Sequence, residues 1–173
     1  MWFLMNIQNY IKKIFLITDE SKFNKYALQL FQYQYKENEI YNKYVNLIYN
    51  NVDSIRTYHE IPFLPIELFR TKKIKTKHIK HQTIFHSSGT TKSEKSKHYI
   101  IDLDIYKKSI INCFKSHIGD PEEFVFFCLV PDFKKNPNSS LAFMCNELII
   151  NSKHSKSGFY IGNEDEMKKT ILH

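Results

Sequence analysis

The sequence predicts an α/β fold, in which an N-terminal helical segment is followed by a mixed or parallel sheet with flanking helices. Three observations carry that expectation. Apolar residues recur at helical spacing up to about residue 60. Pro62 and Pro65 then fix φ and bar a continuous helix across them. Beyond about residue 72, short β-forming runs alternate with helical ones, the pattern of an α/β layer with some parallel pairing. At 173 residues the chain has room for one ordinary domain. Residues 1–62 are therefore expected as a helical segment and 63–173 as the α/β part of the same domain.

The opening "MWFLMNIQNYIKKIFLITDE" is broken by Asn6, Gln8, Asn9, Lys12 and Lys13. No run approaches the roughly 20 apolar residues of a membrane span, and there is neither a basic leader nor a small-residue cleavage site. Ile7, Tyr10, Ile11, Ile14 and Phe15 fall instead at the spacing of a core-packed helix. Phe23, Tyr26, Ala27, Leu30 and Tyr33 form a second apolar stripe, and Tyr41, Tyr44, Val45 and Ile48 a third. The connector "EIPFLPIELFRTKK" follows, with Glu67 placed to cap or pair with Arg70. Arg70, Lys72, Lys73, Lys75, Lys77 and Lys80 then alternate with Ile74, Thr76 and His78. This reads as an exposed edge strand whose charges discourage edge pairing.

"TIFH" and "HYII" read as short strands on either side of a hydroxyl-rich loop. "DLDIYKKSIINCFKSHIGDP" reads as a helix with Asp102 or Asp104 as N-cap, Tyr106, Ile110, Cys113 and Phe114 inward, and Gly119 and Pro121 as stop signals. The unbroken apolar run "EFVFFCLVP" predicts a strand buried on both faces. "NSSLAFMCNELIIN" predicts a capped helix with Leu141, Met144, Cys145, Leu148 and Ile149 on one face. Such folds place ligands beyond the carboxyl ends of their strands.

Composition narrows the function. Hydrophobic content of 42% and aromatic content of 15% exclude a disordered chain. A net charge of +7 favours an anionic partner. Nucleic acid is not the expected one, because the basic run 70–81 lacks the interleaved aromatics on which bases stack. Cys113, Cys128 and Cys145 are widely spaced, form no C-x-x-C motif and are read as having no nearby His at ligand spacing. Three reduced, mostly buried thiols in a cytoplasmic protein, with no metal site, is the expectation.

The candidate site lies in "TIFHSSGTTKSEKSKHYIID". Ser87, Ser88, Gly89, Thr90 and Thr91 are followed by Lys92, Lys95, Lys97 and His98. Backbone N–H groups converge where glycine relaxes the chain, hydroxyls add donors, and lysines bring charge within reach of a polyphosphate. No G-x-x-x-x-G-K-[ST] loop occurs, and taken alone "SSGTT" reads first as an ordinary hairpin turn with solvated lysines.

Its neighbours add to it. Phe31, Gln34, Asn38 and Tyr41 match an F-x-x-Q-x-x-x-N-x-x-Y pattern, and "FLPIELFR" follows at 63–70. Then come the hydroxyl loop ending in Lys97 and His98, a segment with Leu129, Pro131, Ser139, Ser140, Leu141 and Met144, and "SGFY" at 157–160. In this order the landmarks resemble the acyl-protein synthetase branch (long-chain-fatty-acid–luciferin-component ligases) of the adenylate-forming superfamily. The resemblance covers about residues 23–160.

It implies a two-step reaction: a fatty or other carboxylate attacks the α-phosphate of ATP, and the acyl group passes from the adenylate to a protein acceptor or acyl-transfer partner. Ser87, Ser88, Gly89, Thr90, Thr91, Lys92 and Lys95 would hold the phosphates, and Mg²⁺ would bridge them. Lys97 and His98 take the position of the branch's basic-His pair and are the expected catalytic residues. Ser139, Ser140 and Tyr160 are candidate ligand contacts, although helix capping also accounts for the serines.

Lys92 stands where the superfamily commonly has glycine and Glu94 where it has proline, so Lys95 and Lys97 compete for the phosphate-contact role. No aromatic-Gly-x-Thr-Glu stretch or late catalytic lysine follows Tyr160. The chain is accordingly expected to represent the N-terminal half of such an enzyme. A catalytically incomplete nucleotide-binding module is the alternative, and a basic nucleic-acid binder using 70–81 a more distant one.

Overall fold

The computed structural model describes residues 7–77, 79–87 and 95–172. It is a mixed α/β protein, about 53% helical, whose sheets have two strands each. Among the described residues the expected sheet is thus replaced by two separate small ones. The chain divides into two units, up to Lys80 and from His81 onward.

The first unit is helical. Helices α1 (Ile7–Ile14), α2 (Glu20–Glu37) and α3 (Glu39–Ile48) are followed by 3-10 turns at Val52–Ser54 and Tyr58–Glu60, then the short α4 (Leu68–Thr71). Asp19 caps α2, its carboxylate accepting from the Lys22 N–H at 2.8 Å. Asn38 both ends α2 and starts α3: its N–H donates to the Gln34 carbonyl, and its side-chain oxygen accepts from the Tyr41 N–H. One residue thereby satisfies groups at two helix ends that would otherwise be orphaned.

Around this elbow Phe31, Tyr41, Val45 and Ile55 form the buried core, with Leu28, Tyr35, Tyr44, Ile61 and Leu64 against it. The α2 stripe is rotated from the expected one. Phe31 is 4% exposed, whereas Phe23 and Leu30 are exposed, as is Ile48 in α3. Aromatic abundance on every side of α2 leaves its periodicity ambiguous, and packing on α3 selects the Phe31 face. Residues 61–67 run without helix, as the two prolines require. Glu67 occupies the cap position of α4 without capping it through its side chain.

The basic run corrects the sequence expectation. Among its described residues there is no strand. Instead Lys77 N–H donates to the Glu37 carbonyl at 2.9 Å, and Thr76 is buried at 2% exposure. Alternation by itself does not make a strand when no partner strand lies beside it.

The second unit begins with an antiparallel hairpin, β1 (Thr83–His86) and β2 (Lys97–Ile100), in the register Thr83↔Ile100, Phe85↔His98 and His86↔Lys97. Asp102 caps α5 (Leu103–His117), accepting from the Asp104 and Ile105 N–H groups. Gly119 ends it at φ +149°. A Cβ there would come within 3.0 Å of the Phe124 ring, so both backbone and space require glycine. Ser139 caps α6 (Ser140–Asn151), which packs on α5. Phe85, Ile100 and Phe143 are the buried core, with Tyr106, Ile110 and Phe133 around them. Lys107 pairs with the buried Glu147 across the two helices at 3.6 Å.

Two further expectations are corrected here. "EFVFFCLVP" yields only β3 (Phe127–Cys128), paired in parallel with β4 (Gly158–Phe159), and Leu129 is exposed. Cys113 and Leu141, expected inward, are exposed, while Ala142, Phe143 and Glu147 are buried in α6 together with the expected Leu148. The chain closes with α7 (Glu164–Leu172). No described helix is long and apolar enough to cross a membrane.

Candidate functional site

Ser87 is the last residue of the hydroxyl loop that the structure describes on its N-terminal side. It extends the hairpin by one step: its N–H donates to the Ser96 carbonyl at 3.1 Å, and its Oγ accepts from the Ser96 N–H at 3.0 Å. These two bonds close the base of the loop. Ser88, Gly89, Thr90, Thr91 and Lys92 lie outside the described residues. Lys95 is exposed just before the closing pair.

The hairpin base meets the start of α6. His86 N–H donates to the Asn138 carbonyl at 2.8 Å, and His86 and Ser139 form an isolated parallel bridge. The carboxyl end of β1, where the loop departs, is therefore held beside the N-terminus of a helix of 12 residues. Ser87, Lys97 and Ser139 are brought together through their common neighbour His86. His86 has no place among the residues expected from sequence, and only its position next to Ser87 could have singled it out.

Lys97 and His98 are separated by the strand itself. Successive side chains of a strand point to opposite faces. Lys97 shares its face with His86, and His98 shares the inner face with Phe85 and Ile100. His98 is largely exposed at its edge, yet desolvation against that apolar face lowers its imidazole below the usual value. One ligand group on one face of the hairpin would meet Lys97 or His98, not both.

The remaining candidates already have partners. Ser139 Oγ accepts from the Ala142 N–H at 3.2 Å as the α6 cap. Ser140 hydrogen-bonds the Tyr106 phenol, whose ionisation burial pushes upward. Tyr160 directly follows β4, its N–H donating to the Cys128 carbonyl at 2.9 Å. Its hydroxyl donates to the Lys156 carbonyl at 2.7 Å and its ring packs 5.3 Å from that of Phe127.

The other landmarks have roles in folding. In the F-x-x-Q-x-x-x-N-x-x-Y pattern, Phe31 is core, Gln34 accepts from the Asn38 amide, and Asn38 joins the two helices. Tyr41 closes on the connector, its hydroxyl donating to the Pro62 carbonyl at 2.8 Å, and burial pushes its phenol up to about 12. In "SGFY", Ser157 Oγ accepts from the Phe126 N–H at 3.1 Å, and Gly158 and Phe159 form β4. The Cys128 thiol is pushed up to about 12 by burial and by the neighbouring Cys145 thiol, which leaves it unsuited to nucleophilic work near neutral pH.

Among the described residues, no group of three or more His, Cys, Asp or Glu is placed to hold a metal ion. Mg²⁺ held chiefly by substrate phosphates needs no such cage. Comparison with known protein families, with curated proteins and with solved structures found no match to this chain.

Proposed function

We propose that this chain binds the polyphosphate of ATP at the hydroxyl loop and contributes to activating a carboxylate, of long-chain fatty type, as its acyl-adenylate for transfer to a protein acceptor. The observation that carries the reading is the ordered set of five sequence landmarks around "SSGTT". It is supported by the local geometry, in which the base of the loop, Lys97 and the first turn of α6 converge on His86. Helix N-termini carry partial positive charge and unpaired N–H groups, so phosphate oxygens are stabilised there.

In this reading the loop hydroxyls and backbone N–H groups orient the phosphates. Lys97, on the His86 face, offsets the charge that develops when a carboxylate oxygen approaches the α-phosphate. His98 stays neutral against the apolar face and shapes the strand. Mg²⁺, held chiefly by the substrate's own phosphates, would supply neutralisation of their charge.

ATP–pyrophosphate exchange that depends on added fatty carboxylate tests the proposal. Exchange above background, lost in Lys97→Ala, is the expected result. Saturable ATP binding with no exchange at any chain length would leave a nucleotide-binding module without catalysis. Neither binding nor exchange would remove the reading altogether.

A further inference from the structure

A second chemical feature lies two helical turns beyond Tyr106, at the end of α5. Cys113 and His117 stand four residues apart on one exposed helical edge, with Cys113 Sγ 3.9 Å from His117 Nδ1. Ser116 Oγ lies 2.8 Å from the same nitrogen, and the Cys113 carbonyl 2.9 Å from it. With its proton on Nδ1 the ring caps that carbonyl. The Ser116 hydroxyl donates to the same carbonyl at 3.0 Å, so metal binding at Nδ1 moves the ring proton to Nε2 and gives up the Nδ1–carbonyl bond. Thiolate and imidazole together are the donor set that zinc-class cations prefer over the carboxylates and carbonyls suited to Mg²⁺ or Ca²⁺. Tetrahedral bonds of about 2.3 Å to sulfur and about 2.1 Å to nitrogen hold the two donors about 3.6 Å apart, so chelation needs closure by a few tenths of an ångström and release of the carbonyl by the ring.

We propose that Cys113 and His117 form a two-donor chelate for a thiophilic divalent cation such as Zn²⁺. On binding, the Cys113 thiol releases its proton to solvent, sulfur and Nδ1 each donate a lone pair, and the imidazole proton resides on Nε2. No third His, Cys, Asp or Glu converges there among the described residues, and the nearby Asp120 carboxylate is engaged by Lys115 at 2.7 Å. Water therefore completes the coordination, and the metal exchanges readily. Its effect is to staple the last turn of α5 just ahead of the Gly119 stop. The sequence expectation, with Cys113 inward and no histidine at ligand spacing to the cysteines, is corrected by this pair.

Cobalt provides the test, because a cobalt–thiolate bond absorbs in the near ultraviolet. Co²⁺ is titrated into the full chain under a phosphine reductant, followed by Zn²⁺ to displace it. The proposal expects one saturable charge-transfer band that Zn²⁺ abolishes and that is missing in Cys113→Ser. In His117→Gln the apparent affinity should fall by at least about tenfold, while Cys145→Ser should leave the band unchanged. A band that disappears with Cys145→Ser would assign the metal to the Cys128–Cys145 pair and overturn the proposal. So would a band of undiminished affinity in His117→Gln, or no band in a folded chain whose Cys113 reacts with a thiol reagent.

Discussion

Asn38 carries more of the first unit than its size suggests. Its side chain and N–H each serve a different helix, and it is 5% exposed. Truncation to alanine removes the α3 cap and leaves the Gln34 side chain short of a partner. A loss of about 1–2 kcal/mol is expected, read from the urea midpoint. Asn38→Asp retains an acceptor for the Tyr41 N–H and should recover part of it. His98 makes a different kind of prediction. Because desolvation lowers its folded-state pKa, the unfolded chain binds the proton more readily just below the usual imidazole value of 6.5. Its contribution is fully present above that pH and is lost as pH falls through the window beneath it. The melting temperature should therefore drop on acidification, and His98→Gln should flatten that slope. An unchanged slope would mean that the ring is hydrated like a free imidazole.

Elements in this protein are held by ends as much as by faces. Ser139→Ala removes the α6 cap beside His86 and should cost about 1 kcal/mol. Gly119→Ala demands both an unfavourable φ and movement of the Phe124 ring, so it should cost at least about 1 kcal/mol. Both are measurable by chemical denaturation. Such ends were legible in the sequence because their rules are local: Asp102 before an apolar period, Gly119 and Pro121 after it, Ser139 ahead of α6. The two strands flanking the hydroxyl loop were legible for the same reason. Faces and partners were less so. α6 is apolar nearly all round, so spacing alone could not choose Phe143 over Leu141. "EFVFFCLVP" announces burial without naming a partner, and only two of its residues find one in β4. The basic run alternates like a strand, but its backbone turns to Glu37 and Thr76 goes inward. Of the candidate site, the composition of the loop could be read directly. The part played by His86 could not, because it depends on a bridge to a residue more than fifty positions away.

At the scale of the whole molecule, the five landmarks divide by role. Those in the helical unit and in the second sheet build structure: Phe31, Asn38 and Tyr41 make an elbow, and Gly158 and Phe159 make a short strand flanked by Ser157 and Tyr160. The hydroxyl loop stands apart, since its closing bonds at Ser87 and Ser96 explain why a hairpin forms there but not why four hydroxyls, a glycine and successive lysines fill it. The proposed nucleotide binding would supply that reason. Calorimetric titration of ATP with magnesium into the full chain is the direct measurement, alongside Thr90→Ala and Lys97→Ala variants whose circular dichroism matches the parent. The account predicts saturable heat at one nucleotide per chain, weakened by either substitution. Absence of heat in the folded parent, or equal binding in parent and both variants, would contradict it.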